Sequence, residues 1–492
     1  MKRKVIAFLL LTVMIFSYSA CGDTTADDVM QNAETNIETV QETTGETEPL
    51  FKDNLPDDLD FEGETFDNFV YESSWLHTRI DREEQDGDIL NDAIYLRNRL
   101  VENRLNVLFK ESISSGFTAM NQEAKKIVMS GEDIYDVFFC EDYPTLTLAQ
   151  MGMIVNFREI PYIDLSQPYW SHSLNPELSI HSRLYFAYSD FNLTPSDYTH
   201  VLVFNKQIHE NFNLKNIYDL VNNGAWDYDE YEEMCSAVTE DVDGDNEMTK
   251  TDRYGYLSQP KHVLPCFWSS AGVKSIAKNE DDIPEFKLTG DKKFAEVVER
   301  IFTITWDNNT WFRNKFASNS DLTLNDMFVG GQALFFDNTL FYIAILRGME
   351  QDFGVIPYPK YDESQEEYYS RVEGGCVPSV PVTAAGRLEM IGAVLEALSS
   401  ESANSVIPAY FEISLKGKYA RDNESAEMLD LIYRTRSYDL GDTYWCETLR
   451  DGIFMTMFEK NKRDFVSSMT NNESRINKAI NKVIEAFEKL DI

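Results

Sequence analysis

The period of the hydrophobic pattern changes repeatedly along the chain, and the changes mark out an alternating α/β protein. Phe66 to Tyr71 reads as a strand. Asp88 then caps a helix in which Leu90, Ile94, Val101 and Leu105 return to one face. Asn106 to Lys110 reads as a second strand, and Met120, Ala124, Ile127 and Val128 mark a second helix that stops at Gly131. Tyr135 to Cys140 is continuously apolar, as expected of a parallel strand buried on both faces. Strand, helix, strand, helix, strand is the doubly wound order. Such sheets bind ligands beyond the C-terminal ends of their strands, so Trp75 and the loop Glu141-Asp142-Tyr143 are expected on one rim.

Further strands are expected at Arg183–Tyr188 and His200–Phe204, and helices at Tyr228–Val238 and Phe294–Ile304. Leu388, Ile391, Leu395 and Leu398 form a later helical stripe. The last helix places Ile476, Ala479, Ile480, Val483, Ile484 and Phe487 on one face. Between these lies a passage from Phe328 to Pro381 with three short apolar runs. Ala333–Phe336 follows the pair Gly330-Gly331, and Phe353–Ile356 is stopped by Pro357 and Pro359. Cys376–Val382 is held extended by Pro378 and Pro381. This passage reads as a chain leaving one sheet and joining another.

A length of 492 residues exceeds what one compact core holds, so two or more lobes are expected. The formal charge of −40 argues against nucleic acid or an anionic surface as partner. Lys2-Arg3-Lys4, an apolar run from Val5 to Phe16, and Ser19-Ala20-Cys21 resemble a bacterial lipoprotein signal. Residues 1–20 would be removed and Cys21 lipidated with a palmitate-type anchor. Tyr18 stands where such signals usually have an aliphatic residue, and an ordinary secretory signal is the alternative. Either makes this an exported protein. Residues 21–60 are polar and acidic, and are expected to be a flexible tether. Later cysteines, Cys140, Cys235, Cys266, Cys376 and Cys446, are odd in number and scattered, which suits buried apolar residues rather than a disulfide framework.

Candidate chemistry is sparse. Asp241, Asp243, Asp245, Glu247, Thr249 and Asp252 have the spacing of a calcium loop, with oxygen side chains at positions 1, 3, 5, 9 and 12. Asn246 stands at the usual glycine and Asp252 at the usual glutamate. One structural calcium ion is the expectation, and an acidic turn is the alternative. No hydrolase, P-loop or dinucleotide signature is present, and the chain is not expected to be an enzyme. His77, His172, His181, His200, His209 and His262 are dispersed and show no metal-ligand spacing. Tryptophans lie near turn signals beside Asp, Asn and Glu, an arrangement that suits stacking on sugar rings as well as ordinary packing.

Taken together, the lipoprotein-like start, the β/α first half, Val203-Phe-Asn-Lys206, Asn216–Asp227, Gly330–Phe336 and Asp352–Lys360 resemble family 1 extracellular solute-binding proteins of bacterial ABC importers. The likeness is to the sugar-binding branch related to maltodextrin-binding proteins, and it covers the chain from about Phe61 onward. It implies a periplasmic-binding-protein-like fold, two α/β lobes joined by a hinge with a ligand cleft between. Residues 61–198 and 370–408 would form the first lobe, and 199–369 and 409–492 the second. It implies a monomer, lipid-anchored on the outer face of the cell membrane, that closes on a sugar or oligosaccharide and delivers it to permease subunits. Ligand contacts carried over from the family fall on Ser74, Trp75, Glu141, Asp142, Tyr143, Phe267, Trp268, Asn338, Phe341, Gly374, Gly375, Tyr444 and Trp445. A surface glycosidase, or a peptide or sensor binding protein that delivers nothing, are the alternatives.

Overall fold

Backbone pairing sorts eight strands of the described residues into two separate four-stranded sheets and four more into two short pairs. The computed structural model describes residues 50–74, 76–312, 320–411 and 422–491. The expected signal, Cys21, the first part of the tether and Trp75 lie outside the described residues. In chain order the strands are β1 (Glu64–Tyr71), β2 (Val107–Ser114), β3 (Val137–Glu141), β4 (His200–Asn205), β5 (Tyr254–Leu257), β6 (Ala277–Lys278), β7 (Pro284–Glu285), β8 (Ala333–Thr339), β9 (Phe353–Ile356), β10 (Ser370–Arg371), β11 (Cys376–Ser379) and β12 (Arg436–Ser437).

The first sheet has the order β11-β3-β1-β2. β1 runs parallel to β2 and β3, from Glu64 opposite Val107 to Tyr71 opposite Ser114. β11 closes the other edge antiparallel to β3, with Cys376 opposite Glu141. The helices between these strands follow from local chemistry. Asp88 caps helix α1 (Ile89–Leu105) by accepting from the Leu90 and Asn91 amides, and Asn106 ends it at φ 49°. Helix α2 (Phe117–Ser130) ends at Gly131, φ 73°, where the left-handed backbone costs glycine little. Helix α3 (Asp142–Gln150) begins where β3 stops.

The second sheet has the order β5-β8-β4-β9, with β4 antiparallel to both neighbours and β5 parallel to β8. Two stretches of chain pass between the sheets side by side. Thr199 pairs with Val372 and the Glu373 amide donates to the Tyr198 carbonyl. Beyond that, β10 pairs with β12, and β11 joins the first sheet. The C-terminal helix Phe465–Glu488 packs against α3 on one side and against the helix Lys292–Phe302 on the other.

Three expectations change. Arg183–Tyr188 forms no strand: Leu184, Phe186, Ala187 and Tyr188 are buried, but their backbone meets loops. The Leu184 carbonyl accepts from Phe157 and the Tyr188 carbonyl from Ser171. A short apolar run reports burial, not pairing. Packing also begins earlier than Phe61. The Asp53 carboxylate takes both Arg104 guanidinium nitrogens at 2.6 and 2.7 Å, and Leu55 is buried. The third change concerns the aromatic loop candidates. Trp268 has 0% exposure and lies in the core on the helix Pro260–Ser270, with its ring 4.8 Å from Phe454 and 5.5 Å from Phe294. The later cysteines are free, and all but Cys446 are buried. No helix among the described residues is long and apolar enough to cross a membrane.

Trp268→Ala is expected to lower the unfolding free energy by about 3–5 kcal/mol, the cost of emptying a filled core site. Denaturant titration measures it, and a loss under about 1 kcal/mol would show that the ring is not part of the core.

Candidate functional site

A cavity of ≈ 640 Å³ opens where the two sheets face each other beside the paired crossings. Its first wall comes from the end of β3 and the start of α3, Glu141, Asp142, Tyr143 and Pro144, joined by Gly374 and Gly375 ahead of β11 and by Phe117, while Leu324 and Asn325 also reach the cavity. Its second wall comes from the start of β4 and the end of β8, with His200 and Phe336 through Thr339, and from Gln259, Lys261 and His262 at the start of the helix Pro260–Ser270. Tyr198, Tyr342 and Glu373 lie between, and Asp442, Thr443, Cys446, Glu447 and Arg450 complete the lining.

The glycine pair lets two backbones meet. The Asp142 amide donates to the Gly375 carbonyl at 3.1 Å. A Cβ on Gly375 would stand 2.8 Å from the Tyr188 hydroxyl, and one on Gly374 3.1 Å from the Asp142 carboxylate. Larger residues there would push α3 off β11 or fill the cavity.

A buried charged network lies behind the second wall. Arg371, 1% exposed, donates from Nε and Nη2 to the two Asp442 oxygens at 2.5 and 3.0 Å. Its Nη1 lies 2.8 Å from His200 Nε2. His200 Nδ1 meets Asp337 Oδ1 at 2.9 Å. Tyr358 and Ser258 donate to the same Asp337 carboxylate at 2.6 and 2.8 Å. Lys261 and Arg450 each lie 3.5 Å from Glu373 Oε1. Each buried charge in this group has an opposite charge or several hydrogen-bond donors beside it, which is what allows it to be buried.

The first wall is different. Among the described residues, neither Glu141 nor Asp142 has a cation at ion-pair distance. Burial, with Asp142 adjacent, pushes the Glu141 carboxyl up to about 7. Burial also raises Asp142 to about 6 against the hydrogen bond donated by Tyr438.

Of the residues carried over from the family resemblance, Glu141, Asp142, Tyr143, Asn338, Gly374 and Gly375 are brought together on this cavity. Ser74 is exposed and does not line it. Phe267 and Trp268 are core residues, and Phe267 sits edge-on to Tyr228, Tyr256 and Tyr358. The helix that holds them presents Lys261 and His262 to the cavity, and one to two turns farther on its side chains are inside the lobe. Phe341 is half-buried against His77, 5.4 Å between rings, and Tyr342 reaches the lining instead. Tyr444 is buried with its hydroxyl on the Leu178 carbonyl, and Trp445 is buried beside it; Thr443 and Cys446 line the cavity in their place. Sequence reasoning missed His200, His262, Asp337, Glu373 and Arg450. One signal was available: Asp337 is an ionisable residue directly following the apolar run Ala333–Phe336, and such a residue needs a partner.

In the loop Asp241–Asp252, the carboxylates of Asp241, Asp243 and Asp252 converge within 4.8 Å of one another. Asn246 takes φ 66°, the conformation that glycine usually supplies in such loops. Asp245 instead accepts from the Glu247 amide, and Thr249 hydrogen-bonds Asp252.

Compared by sequence, the chain matches no family model and no curated protein. Its fold matches solved ABC substrate-binding proteins. The ABC substrate-binding protein Lmo0181 from Listeria monocytogenes, in complex with cycloalternan, has a TM-score of 0.54 at 12% identity, covering 86% of this chain and 100% of that one. A cyclo/maltodextrin-binding protein complexed with maltotetraose has 0.56 at 12%, covering 87% and 97%. UgpB from Mycobacterium tuberculosis, in complex with glycerophosphocholine, has 0.53 at 14%, covering 81% and 100%. At these identities the likeness establishes the fold: two α/β lobes of the maltodextrin-binding-protein type.

The raised Glu141 carboxyl has a consequence for stability. Its value is about 7 in the folded chain against 4.5 when free, so the folded state holds the proton more tightly. That contribution is complete below pH 4.5 and is lost as the pH rises through 7. Glu141→Gln is expected to reduce the fall in Tm between pH 4.5 and pH 8, measured by thermal melting in matched buffers. An unchanged pH profile would show that the carboxyl is not desolvated.

Proposed function

We propose that this protein is the substrate-binding component of an ABC importer, and that it captures a sugar or oligosaccharide between its two lobes. The observation that carries the reading is the ≈ 640 Å³ cavity between the facing ends of two sheets, in a chain that shares its fold over 86% of its length with a cycloalternan-binding protein. Carboxylates, Asn338, Tyr143 and Tyr342 on opposite walls supply the hydrogen-bonding groups and rings that sugar hydroxyls and faces require. A solute touching both walls stabilises the closed arrangement through contacts that exist only there, and the paired crossings at Thr199 and Val372 are where the lobes pivot. The closed form docks on permease subunits. The lipoprotein-like start supports an anchor at Cys21 on the outer face of the cell membrane. The chain binds its solute and does not cleave it.

A thermal-shift panel of cyclic and linear α-glucans, other oligosaccharides and glycerophosphodiesters tests this. At a hundredfold excess over Kd a bound solute contributes about 2.7 kcal/mol, a shift of several degrees. Chromatography of the incubated solutes is expected to show them intact. A shift by glycerophosphodiesters alone, or by no compound, would sink the sugar reading.

The convergence of Asp241, Asp243 and Asp252 supports a calcium ion that pins this loop, with Asp245, Glu247 and Thr249 as the further oxygens in the sequence pattern. Added calcium is expected to raise the Tm of the wild type and not of Asp243→Asn. Equal response by both would leave the loop as a turn.

A further inference from the structure

The second wall of the cavity holds a group of acceptors that face one another. His200 has 0% exposure and His262 9%. A guanidinium only donates, so the approach of Arg371 Nη1 to His200 Nε2 at 2.8 Å makes Nε2 an acceptor and puts the His200 proton on Nδ1, toward Asp337. His262 is turned the same way: its Nδ1 lies 3.3 Å from the other Asp337 oxygen. One carboxylate thus faces the Nδ1 atoms of both rings, and both Nε2 atoms lie near Glu373 Oε2. The separations there are 3.2 Å from His200 Nε2 and 3.3 Å from His262 Nε2. Among the described residues His262 Nε2 has no hydrogen-bond partner, although it is buried. These three atoms lie within 4.8 Å of one another; Arg371 faces His200 Nε2, and Lys261 and Arg450 face the other Glu373 oxygen, which leaves His262 Nε2 as the buried atom still to be matched.

We propose that His200 Nε2, His262 Nε2 and Glu373 Oε2 bind a divalent cation of the zinc class in the wall of the solute cavity. A tetrahedron with bonds of about 2.0–2.1 Å has edges of about 3.3–3.4 Å, close to the observed separations. Two imidazoles and one carboxylate suit zinc and its neighbours rather than calcium or magnesium. Asp337 supplies the outer carboxylate that fixes ring orientation in such sites. A bound cation takes the Nε2 lone pair from Arg371, so the guanidinium must turn its Nη1 away from His200 while keeping Asp442 as its carboxylate partner. The surroundings accept the added charge. Six carboxylates line this cavity (Glu141, Asp142, Asp337, Glu373, Asp442 and Glu447) against the cations Lys261 and Arg450. Three protein ligands leave a fourth position, and His262 and Glu373 themselves line the cavity, so that position faces the solute. The competing way to relieve the three acceptors is a second proton on each ring.

The test uses the full chain freed of any polyhistidine tag and stripped of metal. Titration calorimetry with zinc is expected to show one site, weakened more than ~100-fold in His262→Ala and in Glu373→Gln, beyond the ~10–100-fold that loss of an outer partner costs. Cobalt in place of zinc is expected to give the visible bands of a four-coordinate site without thiolate charge transfer. Asp243→Asn controls for the acidic loop and is expected to leave both results unchanged. Melting curves of each variant establish that it is folded, and if one variant fails to fold the other carries the comparison with the cobalt spectrum. The proposal falls if the wild type binds no zinc, if folded variants bind as tightly as the wild type, or if the cobalt spectrum shows ligation by Cys266, which lies beside His200 and Asp337.

Discussion

The bond between Arg371 and Asp442 is the constraint on which the arrangement of the two lobes rests. A fully buried guanidinium is stable only where its charge is matched and its donors are used, and Asp442 does both through a bidentate contact. Arg371 lies on the second crossing between the sheets, and Asp442 lies on the segment that ends in the cavity lining. The pair therefore fixes where the crossing strand passes. Through His200 it also fixes the start of β4, and through Asp337 the end of β8. Each of these positions is a wall of the cavity. The shape of the cavity is a by-product of satisfying buried charge.

Two kinds of packing meet at this site. Behind the second wall, Phe267, Tyr228, Tyr256 and Tyr358 interlock at edge-to-face angles, and the Tyr256 and Tyr358 hydroxyls pass a hydrogen bond on to Asp337. These four rings hold the charged residues in place. The first wall has fewer partners for its charges. Among the described residues Glu141 and Asp142 are desolvated with no cation at ion-pair distance, and the Asp142 oxygens accept from Tyr438 and the Tyr143 amide instead.

Much of the fold was legible locally. Asp88 and Gly131 announced helix ends through capping chemistry that acts over four residues. The passage Phe328–Pro381 could be read as a crossing because prolines and glycines interrupt short apolar runs, and β8, β9 and β11 stand within it. Glu141, Asp142 and Tyr143 were accessible because the residues after a buried parallel strand lie on the rim of the sheet by construction. Trp268, Phe267, Tyr444 and Trp445 misled for a reason of the same kind: an aromatic residue near a turn signal has no mark that tells a binding platform from a core residue, and one turn of helix decides between them.

By itself the sequence determined the alternation of strand and helix, the strand termini that carry Glu141 and Gly374, and the acidic loop at Asp241, because all of these depend on neighbours a few residues away. Tertiary structure alone decided the second wall. His200, His262, Asp337, Glu373 and Arg450 are separated by as many as 250 positions, and no spacing rule connects them. They meet because β4 runs antiparallel between β8 and β9, which sets His200 beside the end of β8, and because Arg371 is buried against acceptors from two distant segments at once, Asp442 and His200.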